Sequence, residues 1–196
     1  MTLPTTLTVL RMFLAVLIVV LLFVPGWVAH LVAFGLFLLA SGTDWLDGYL
    51  ARRWQQTTPL GALLDPIADK VLVLALFVTF AAMRLMPWWM ALVVVIREVL
   101  ITTVRLLAAH HQVILSAAKE GKQKMVSQIV TLTALFSLLI AQEFFGHTGR
   151  FESILLTMER TVTVCLWVTV LLTAISGVSF FWRHGQTLRT ALWTHR

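Results

Sequence analysis

Charged residues are scarce in this chain. Only 12% of its 196 residues are Asp, Glu, Lys or Arg, whereas 59% are hydrophobic and the mean hydropathy is +0.90. A soluble domain carries about twice that share of charge, so the composition excludes an ordinary soluble enzyme. Apolar runs recur along the whole chain rather than forming one leader. We therefore expect an integral-membrane protein without a cleaved signal peptide.

Cysteine is nearly absent, and acidic residues are too few to balance the basic ones. Cys165 is the single cysteine, which excludes an internal disulfide. The formal net charge is +6, but the Lys and Arg residues cluster between apolar runs, where membrane topology places them. We therefore expect no nucleic-acid partner. The six histidines lack the spacing of paired metal ligands, and we interpret them as residues of the membrane interface.

A membrane-spanning helix needs about 20 mostly apolar residues. The windows of this chain that meet the requirement are residues 3–24, 27–50, 60–83, 87–109, 120–142 and 158–182. The breaks between them include Pro25-Gly26, a polar segment that ends at Pro59, and Pro87 with two tryptophans. We predict a single all-α integral-membrane domain over residues 1–196, with six transmembrane helices.

Lys and Arg near the ends of these windows are unequally divided between the two sides. One side collects Arg52, Arg53, Lys119, Lys122, Lys124, Arg183, Arg189 and Arg196, and the other has Arg84, Arg150 and Arg160. The positive-inside rule places the richer side in the cytoplasm. We therefore predict a multi-pass protein of the cytoplasmic (inner) membrane, with residues 51–59 and 110–124 facing the cytoplasm.

All four aspartates lie between residues 44 and 69, across the end of the second window and the start of the third. An ionisable side chain within a membrane span costs at least a few kcal/mol, so such a group indicates function and needs a partner. Asp44 and Asp47 share one arc of a helix, and Asp65 and Asp69 share a face because they are four residues apart. A short hairpin would bring both pairs together at the cytoplasmic side.

Four carboxylates at one place repel each other unless cations neutralise them. Hard divalent ions such as Mg²⁺ or Mn²⁺ take oxygen ligands and commonly bridge phosphates. Two such ions stabilise the attacking and leaving oxygens of a phosphoryl transfer, so we expect two metal ions. Gly48 and Ala51 leave room on the same arc for a nucleotide, and Arg52 offers a fork of donors to a phosphate.

A structural alternative explains the aspartates one by one. Asp65 precedes Pro66 and suits a helix cap with proline at the first helical position. Asp44 and Asp47 are interfacial residues that the following arginines could pair with. Caps and rim pairs do not predict the spacing of all four aspartates, so we favour the metal site.

The aspartates belong to a longer pattern. It reads Asp44-x2-Asp47-Gly48-x2-Ala51-Arg52-x8-Gly61-x3-Asp65-x3-Asp69. This pattern resembles the signature of the CDP-alcohol phosphotransferase family. The surrounding segments, residues 43–54 and 64–72, are similar to the branch of that family that forms phosphatidylglycerophosphate. The resemblance extends over most of the chain, including the Ile96-Arg97-Glu98 segment.

The resemblance implies a six-helix, usually dimeric membrane enzyme with the CDP-alcohol phosphotransferase fold. The metal ligands that it implies are Asp44, Asp47, Asp65 and Asp69. It further implies that Asp69 is the general base. The implied contacts to the CDP part of the donor are Gly48, Ala51, Arg52 and Thr58. Two departures from the family pattern, near Thr2 and at Met125, touch the periphery of substrate binding.

The implied reaction moves the phosphatidyl group from CDP-diacylglycerol to glycerol 3-phosphate, which gives phosphatidylglycerophosphate and CMP in phospholipid biosynthesis. An acceptor with its own phosphate also fits the basic residues in or near the fourth and fifth windows, which are Arg97, Arg105, Lys119, Lys122 and Lys124. Anchoring to anionic lipid headgroups explains the loop lysines equally well. It explains Arg97 and Arg105 poorly, because both lie in an apolar span, where Glu98 offers one of them a partner. The candidate acceptor ligands are Arg97, Arg105 and Lys122.

Other interpretations remain open. Within the family, the acceptor could be that of phosphatidylinositol-phosphate or cardiolipin synthesis. Intramembrane prenyltransferases also use two Asp-rich motifs with Mg²⁺, but on a longer bundle and far apart. A small transporter could bind cations with buried carboxylates, although it has no need for the glycines, Ala51 and Arg52 at fixed offsets.

Overall fold

The computed structural model of this chain describes the backbone of residues 3–54, 59–110, 119–145 and 151–193, and the side chains of residues 10–42, 70–108, 123–145 and 151–185. Within that backbone there are six helices and no strand. They are α1 (Leu3–Leu22), α2 (Trp27–Trp54), α3 (Pro59–Ala82), α4 (Trp88–His110), α5 (Lys119–Phe145) and α6 (Glu152–Trp193). The predicted all-α class is confirmed, and α6 extends beyond its predicted window at both ends.

Local chemistry explains where two of the helices stop. Gly26, in the turn between α1 and α2, has a φ of 121°, a conformation that side chains disfavour. At the end of α3, the Leu85 N–H donates to the Phe80 carbonyl at 3.0 Å and the Arg84 N–H donates to the Ala81 carbonyl at 3.1 Å. Arg84 is left-handed, with a φ of 62°, so α3 ends in a Schellman motif with arginine at the position that usually takes glycine.

The helices form a closed ring in which each packs against two neighbours. The order around the ring is α1, α2, α5, α6, α4, α3 and back to α1, and α3 also contacts α5 across the middle. Two side-chain contacts show that α4 and α6 run parallel, since Trp89 lies beside Trp167 and Arg97 beside Ser176. The second half of α4 and of α6 therefore lies at the same end of the bundle.

An aromatic cluster fills the centre of the ring. The Phe136 ring of α5 lies 5.4 Å from Phe37 of α2 in a stacked arrangement and 5.0 Å from Phe80 of α3 edge to face. All three side chains are fully buried. Offset-stacked and edge-to-face pairs are the favourable geometries for aromatic rings. This cluster fixes α2 and α3 against the same turn of α5.

Charge and apolar surface are distributed in the reverse of a soluble protein. Large apolar side chains point outward on several helices, among them Phe13, Leu39, Leu92 and Val178, while Glu98 is only 4% exposed. An apolar exterior this extensive needs lipid rather than water around it. The bundle is built to present hydrocarbon outside and polar groups inside.

The stretches that could cross a bilayer were predicted at six places. Among the described residues, Gln123–Phe145 and Glu152–Gly185 are long and apolar enough to cross one. Shorter apolar helical stretches lie at Leu10–Leu22, Trp27–Gly42 and Lys70–Ala82. Two membrane-spanning helices are thus supported by length and composition, and the count of six remains a prediction.

Candidate functional site

The predicted metal ligands lie on the helices that the sequence assigns to them. Asp44 and Asp47 are in α2, and Asp65 and Asp69 are in α3. Their side chains lie outside the described residues, as do those of the other predicted ligands Gly48, Ala51, Arg52, Thr58 and Lys122. No group of three potential metal ligands occurs among the side chains that the structure describes. The metal site therefore stays a prediction.

The packing of α2 on α5 shows which end of the bundle carries the aspartates. Trp27 contacts Phe144, and Phe37 contacts Phe136, so the two helices are antiparallel in a regular register. Each helix rises by about 1.5 Å per residue. Continued along both helices, this register brings residues 44–47 of α2 opposite about residues 124–129 of α5, the segment that begins with Lys124.

A buried carboxylate at that level gathers three cations from three helices. Lys70 Nζ of α3 donates to Glu98 Oε2 of α4 at 2.8 Å, and Arg97 Nη1 donates to Glu98 Oε1 at 2.7 Å. Lys124 Nζ of α5 also donates to Oε1. The side chains of Glu98 and Lys124 are only 5% and 6% exposed. We call Lys70, Arg97, Glu98 and Lys124 the cation cluster.

Helix α6 holds the arginine of the cation cluster from the other side. Arg97 Nη2 donates to Ser176 Oγ at 2.6 Å. Gly177 lies against the aliphatic part of the same side chain, because a Cβ at that position would be 3.4 Å from Arg97 Cγ. The guanidinium of Arg97 is therefore held by Glu98 of α4 and by Ser176 of α6. Farther along the same two helices, the guanidinium of the exposed Arg105 lies 5.5 Å from the ring centre of Phe180, at cation–π distance.

The cation cluster carries more positive than negative charge. Three cationic side chains meet one carboxylate, which leaves a formal excess of two positive charges. Charges within a membrane protein need partners, because burial removes them from water. A guanidinium fork with two ammonium groups matches the oxygens of a phosphate. The arrangement can bind a phosphate-bearing anion.

Several buried polar atoms near the cation cluster have no hydrogen-bond partner among the described residues. These atoms are Arg97 Nε, Thr102 Oγ1, Gln128 Nε2 and Thr173 Oγ1. Other helical hydroxyls in the chain donate back to the carbonyl four residues earlier, as Thr79 and Thr157 do. An unpaired buried polar group is costly. These atoms extend the polar interior of the bundle around the cation cluster.

The structure describes the surroundings of two of the three predicted acceptor ligands, and their role as ligands stays a prediction. Arg97 lies in the cation cluster, and of the two arginines that Glu98 was expected to pair with, it is the one that does so. Arg105 lies on the same helix but contacts Phe180 instead of the carboxylate. Lys124, which lies within the predicted window 120–142, is a buried residue of α5.

Sequence reasoning did not single out Lys70 or Ser176. Lys70 follows Asp69 directly in the quoted motif. A basic residue beside the aspartates, in an otherwise apolar helix, was a signal that could have identified it. Ser176 lies in the last apolar window, where one serine carries no pattern. Its role depends on packing between α4 and α6, which hydropathy does not reveal.

Comparisons with known proteins agree with the family resemblance. A family model described as CDP-alcohol phosphatidyltransferase matches residues 1–175. A CDP-diacylglycerol–glycerol-3-phosphate 3-phosphatidyltransferase of Bacillus subtilis is 33% identical over 96% of this chain and 98% of its own length. Proteins of the same name from Yersinia enterocolitica and Salmonella choleraesuis are 45% identical, over 45% of this chain and 48% of theirs.

Proposed function

Because this chain belongs to the CDP-alcohol phosphatidyltransferase family, we propose that it transfers the phosphatidyl group of CDP-diacylglycerol to glycerol 3-phosphate and releases CMP. It is an integral-membrane enzyme, a transferase of phospholipid biosynthesis. A relative of that name matches almost the whole chain, which supports the donor and the acceptor together. The structural observation that carries the acceptor is the cation cluster.

The cation cluster suits the phosphate of the acceptor. Lys70, Arg97 and Lys124 bring three positive charges to one buried point. The charge of a bound phosphate would offset the excess that Glu98 leaves, and the planar guanidinium of Arg97 would orient it. An acceptor without a phosphate would leave that excess unbalanced, so serine is a poor candidate. Arg105 and Lys122 complete the proposed basic lining on the cytoplasmic side.

The four aspartates would hold the metal ions. Two pairs of carboxylates on adjoining helices form an all-oxygen donor set, which fits Mg²⁺ or Mn²⁺. Bound there by Asp44, Asp47, Asp65 and Asp69, two such ions would neutralise charge on the diphosphate of the donor. The described part of the site is compatible with this arrangement, because Lys70, Arg97 and Lys124 converge on Glu98 and supply the positive charge for the acceptor phosphate.

The chain's own residues then align the reactants. Asp69 takes the proton from the acceptor hydroxyl, whose oxygen attacks the phosphorus bonded to diacylglycerol. The bond from that phosphorus to the CMP oxygen breaks, and the electron pair leaves with CMP. Because Lys70 follows Asp69 in α3, one helical turn carries both the proton acceptor and a ligand for the acceptor phosphate. Gly48, Ala51, Arg52 and Thr58 would contact the CDP part.

The topology of this proposal follows from the same residues. Six spans place the aspartates and the cation cluster at one end of the bundle, which the positive-inside rule turns toward the cytoplasm of the inner membrane. Glycerol 3-phosphate and CDP are soluble groups that reach the site from that side. A homodimer is part of the proposal through the family resemblance alone.

An assay of CMP release tests the proposal. The purified protein, in detergent or in lipid nanodiscs, is given CDP-diacylglycerol with Mg²⁺ or Mn²⁺ and one acceptor at a time: glycerol 3-phosphate, inositol phosphate, serine or phosphatidylglycerol. We expect CMP release with glycerol 3-phosphate and formation of phosphatidylglycerophosphate. Release with a different acceptor alone would assign the protein to another branch of the family, and no release with any would reject the proposal.

Asp69→Asn supplies the matched loss-of-function variant for this assay. The amide has nearly the same shape but cannot accept the proton, so turnover should fall by about 10² to 10⁴-fold, the usual contribution of general base catalysis. The variant should elute from size exclusion like the wild type. Retained turnover in a correctly folded Asp69→Asn protein would reject Asp69 as the base.

A further inference from the structure

We infer that Glu98 is a positioning residue of the acceptor site, which holds Lys70, Arg97 and Lys124 in place without touching the substrate. The inference rests on the proposed function, because it takes the cation cluster as the phosphate site. It concerns the one acidic member of that cluster. A negative charge among phosphate ligands would normally weaken binding, so its presence needs a reason.

The Glu98 carboxylate accepts from three cationic side chains at once. Oε2 accepts from Lys70, while Oε1 accepts from both Arg97 and Lys124. The three donors come from α3, α4 and α5, so one carboxylate joins three helices. Both oxygens face protein cations, and the side chain is 5% exposed. Little of the carboxylate remains for a substrate to reach.

The charge of the cation cluster requires the carboxylate. Three cations that touch one residue lie close to each other, and their mutual repulsion is strong where water is excluded. With Glu98 present, each cation has a counter-ion and a fixed direction. Without it, the two lysines would repel each other and Arg97 and turn away, and the phosphate site would lose its shape. Glu98 therefore raises affinity for a phosphate despite carrying the same sign of charge.

The orientation of Arg97 shows what is being positioned. Nη1 is fixed by Glu98 and Nη2 by Ser176, whereas Nε has no partner among the described residues. A guanidinium has five N–H groups in one plane, so two fixed bonds set the direction of the rest. The remaining N–H groups, that of Nε among them, can donate to a phosphate. Glu98 and Ser176 thus fix the Arg97 side chain, and its other donors are left for the phosphate.

Glu98 is poorly suited to the alternative role of a proton acceptor. Its two oxygens already accept from three donors of the protein, so neither is free to take a proton from a substrate. Loss of Glu98 should change how tightly the acceptor binds more than how fast the bound acceptor reacts.

The test uses Glu98→Gln, which keeps the shape and removes the charge, and Glu98→Asp, which keeps the charge on a shorter side chain. We expect Glu98→Gln to raise KM for glycerol 3-phosphate about tenfold or more, with KM for CDP-diacylglycerol changed less than about twofold. The Ki of inorganic phosphate, as a competitor of the acceptor, should rise in parallel. Glu98→Asp should recover part of both losses.

Glu143→Gln is the matched control, because it removes a partly buried carboxylate at the opposite end of the bundle. It should leave KM and the Ki of phosphate unchanged. An unchanged KM in a folded Glu98→Gln protein would overturn the inference, and so would a loss of kcat with KM unchanged. If Glu98→Gln does not fold, the KM of Glu98→Asp decides: a value equal to that of the wild type overturns it.

The failure of the proposed function is a separate result. If the wild type is active only with another phosphorylated alcohol, the same variants are measured with that acceptor, and a raised KM still supports the role of Glu98. If the wild type uses only acceptors without a phosphate, both the acceptor assignment and the inference are overturned.

Discussion

Two polar clusters lie at opposite ends of this bundle, and they differ in charge balance. The cation cluster sets three bases against Glu98. At the other end, His30 of α2 faces a single acid, Glu143 of α5, with Nδ1 2.9 Å from Oε2. This second pair is close enough for an ion pair, although the two atoms are not aligned for a hydrogen bond. The cation cluster has three basic groups for one acid, and the second cluster has one of each.

The second cluster has a structural purpose that its partners reveal. His30 Nε2 lies 3.1 Å from the Leu22 carbonyl, and a carbonyl only accepts, so that nitrogen donates. It thereby satisfies one of the carbonyls that the end of α1 leaves unpaired. Trp27 and Phe144 pack edge to face beside it. The balanced cluster joins α1, α2 and α5, whereas the unbalanced one has more basic groups than acids.

The largest expected effect on KM concerns Arg97, in the cation cluster. Arg97→Gln removes the fork that Glu98 and Ser176 hold, and we expect KM for glycerol 3-phosphate to rise about 100-fold, the range for a buried charged pair. The matched control is Arg160→Gln, since Arg160 is exposed near the start of α6. Equal KM values for the two variants, measured by CMP release, would contradict the assignment of the acceptor site.

Much of the fold was predictable from the sequence, because long apolar runs and their breaks are local signals. Each of the six windows contains a helix, and Pro25-Gly26 and Pro87 separate helices as predicted. The end of α6 was missed, because the helix continues through a polar segment after Trp182 that hydropathy excludes. Membrane patterning predicts what lies in lipid, but it does not show where a helix continues into water.

The candidate site was predictable only where charge stands out against an apolar background. Arg97 was singled out on that ground, and Glu98 was expected to pair with either Arg97 or Arg105. Lys124 was grouped with the loop lysines although window 120–142 contains it, and its contact with Glu98 shows that it turns inward. His30 was interpreted as interfacial, yet its side chain is only 2% exposed. Tertiary contacts between distant helices decide these cases, and a single sequence does not contain them in readable form.

A smaller effect is expected at the balanced cluster. His30→Ala removes the donor to the Leu22 carbonyl and leaves Glu143 without its partner, which should cost about 1 to 3 kcal/mol of stability. The thermal midpoint in detergent should fall, while KM for both substrates stays at the wild-type value. A raised KM for glycerol 3-phosphate would show that the two ends are coupled, and the contrast between a structural and a binding cluster would fail.

The smallest expected effect is a difference in stability between variants of two buried threonines of α6 that lie one turn apart. Thr169 Oγ1 lies 2.8 Å from Thr131 Oγ1 of α5, whereas Thr173 Oγ1 has no partner among the described residues. Thr169→Val should lower stability by about 0.6 kcal/mol, the mean for a hydrogen bond between membrane helices. Thr173→Val removes an unpaired hydroxyl and should leave stability unchanged or slightly raised.

The same two threonines also distinguish a structural role from a role in binding. Thr173 precedes Ser176 by about one turn of α6 and is fully buried, and Ser176 contacts Arg97 of the cation cluster. If Thr173→Val keeps its stability but raises KM for glycerol 3-phosphate, the polar interior around the cluster belongs to the binding site. If only Thr169→Val changes KM, the hydroxyls of α6 affect binding through helix packing, because the Thr169–Thr131 hydrogen bond joins α6 to α5.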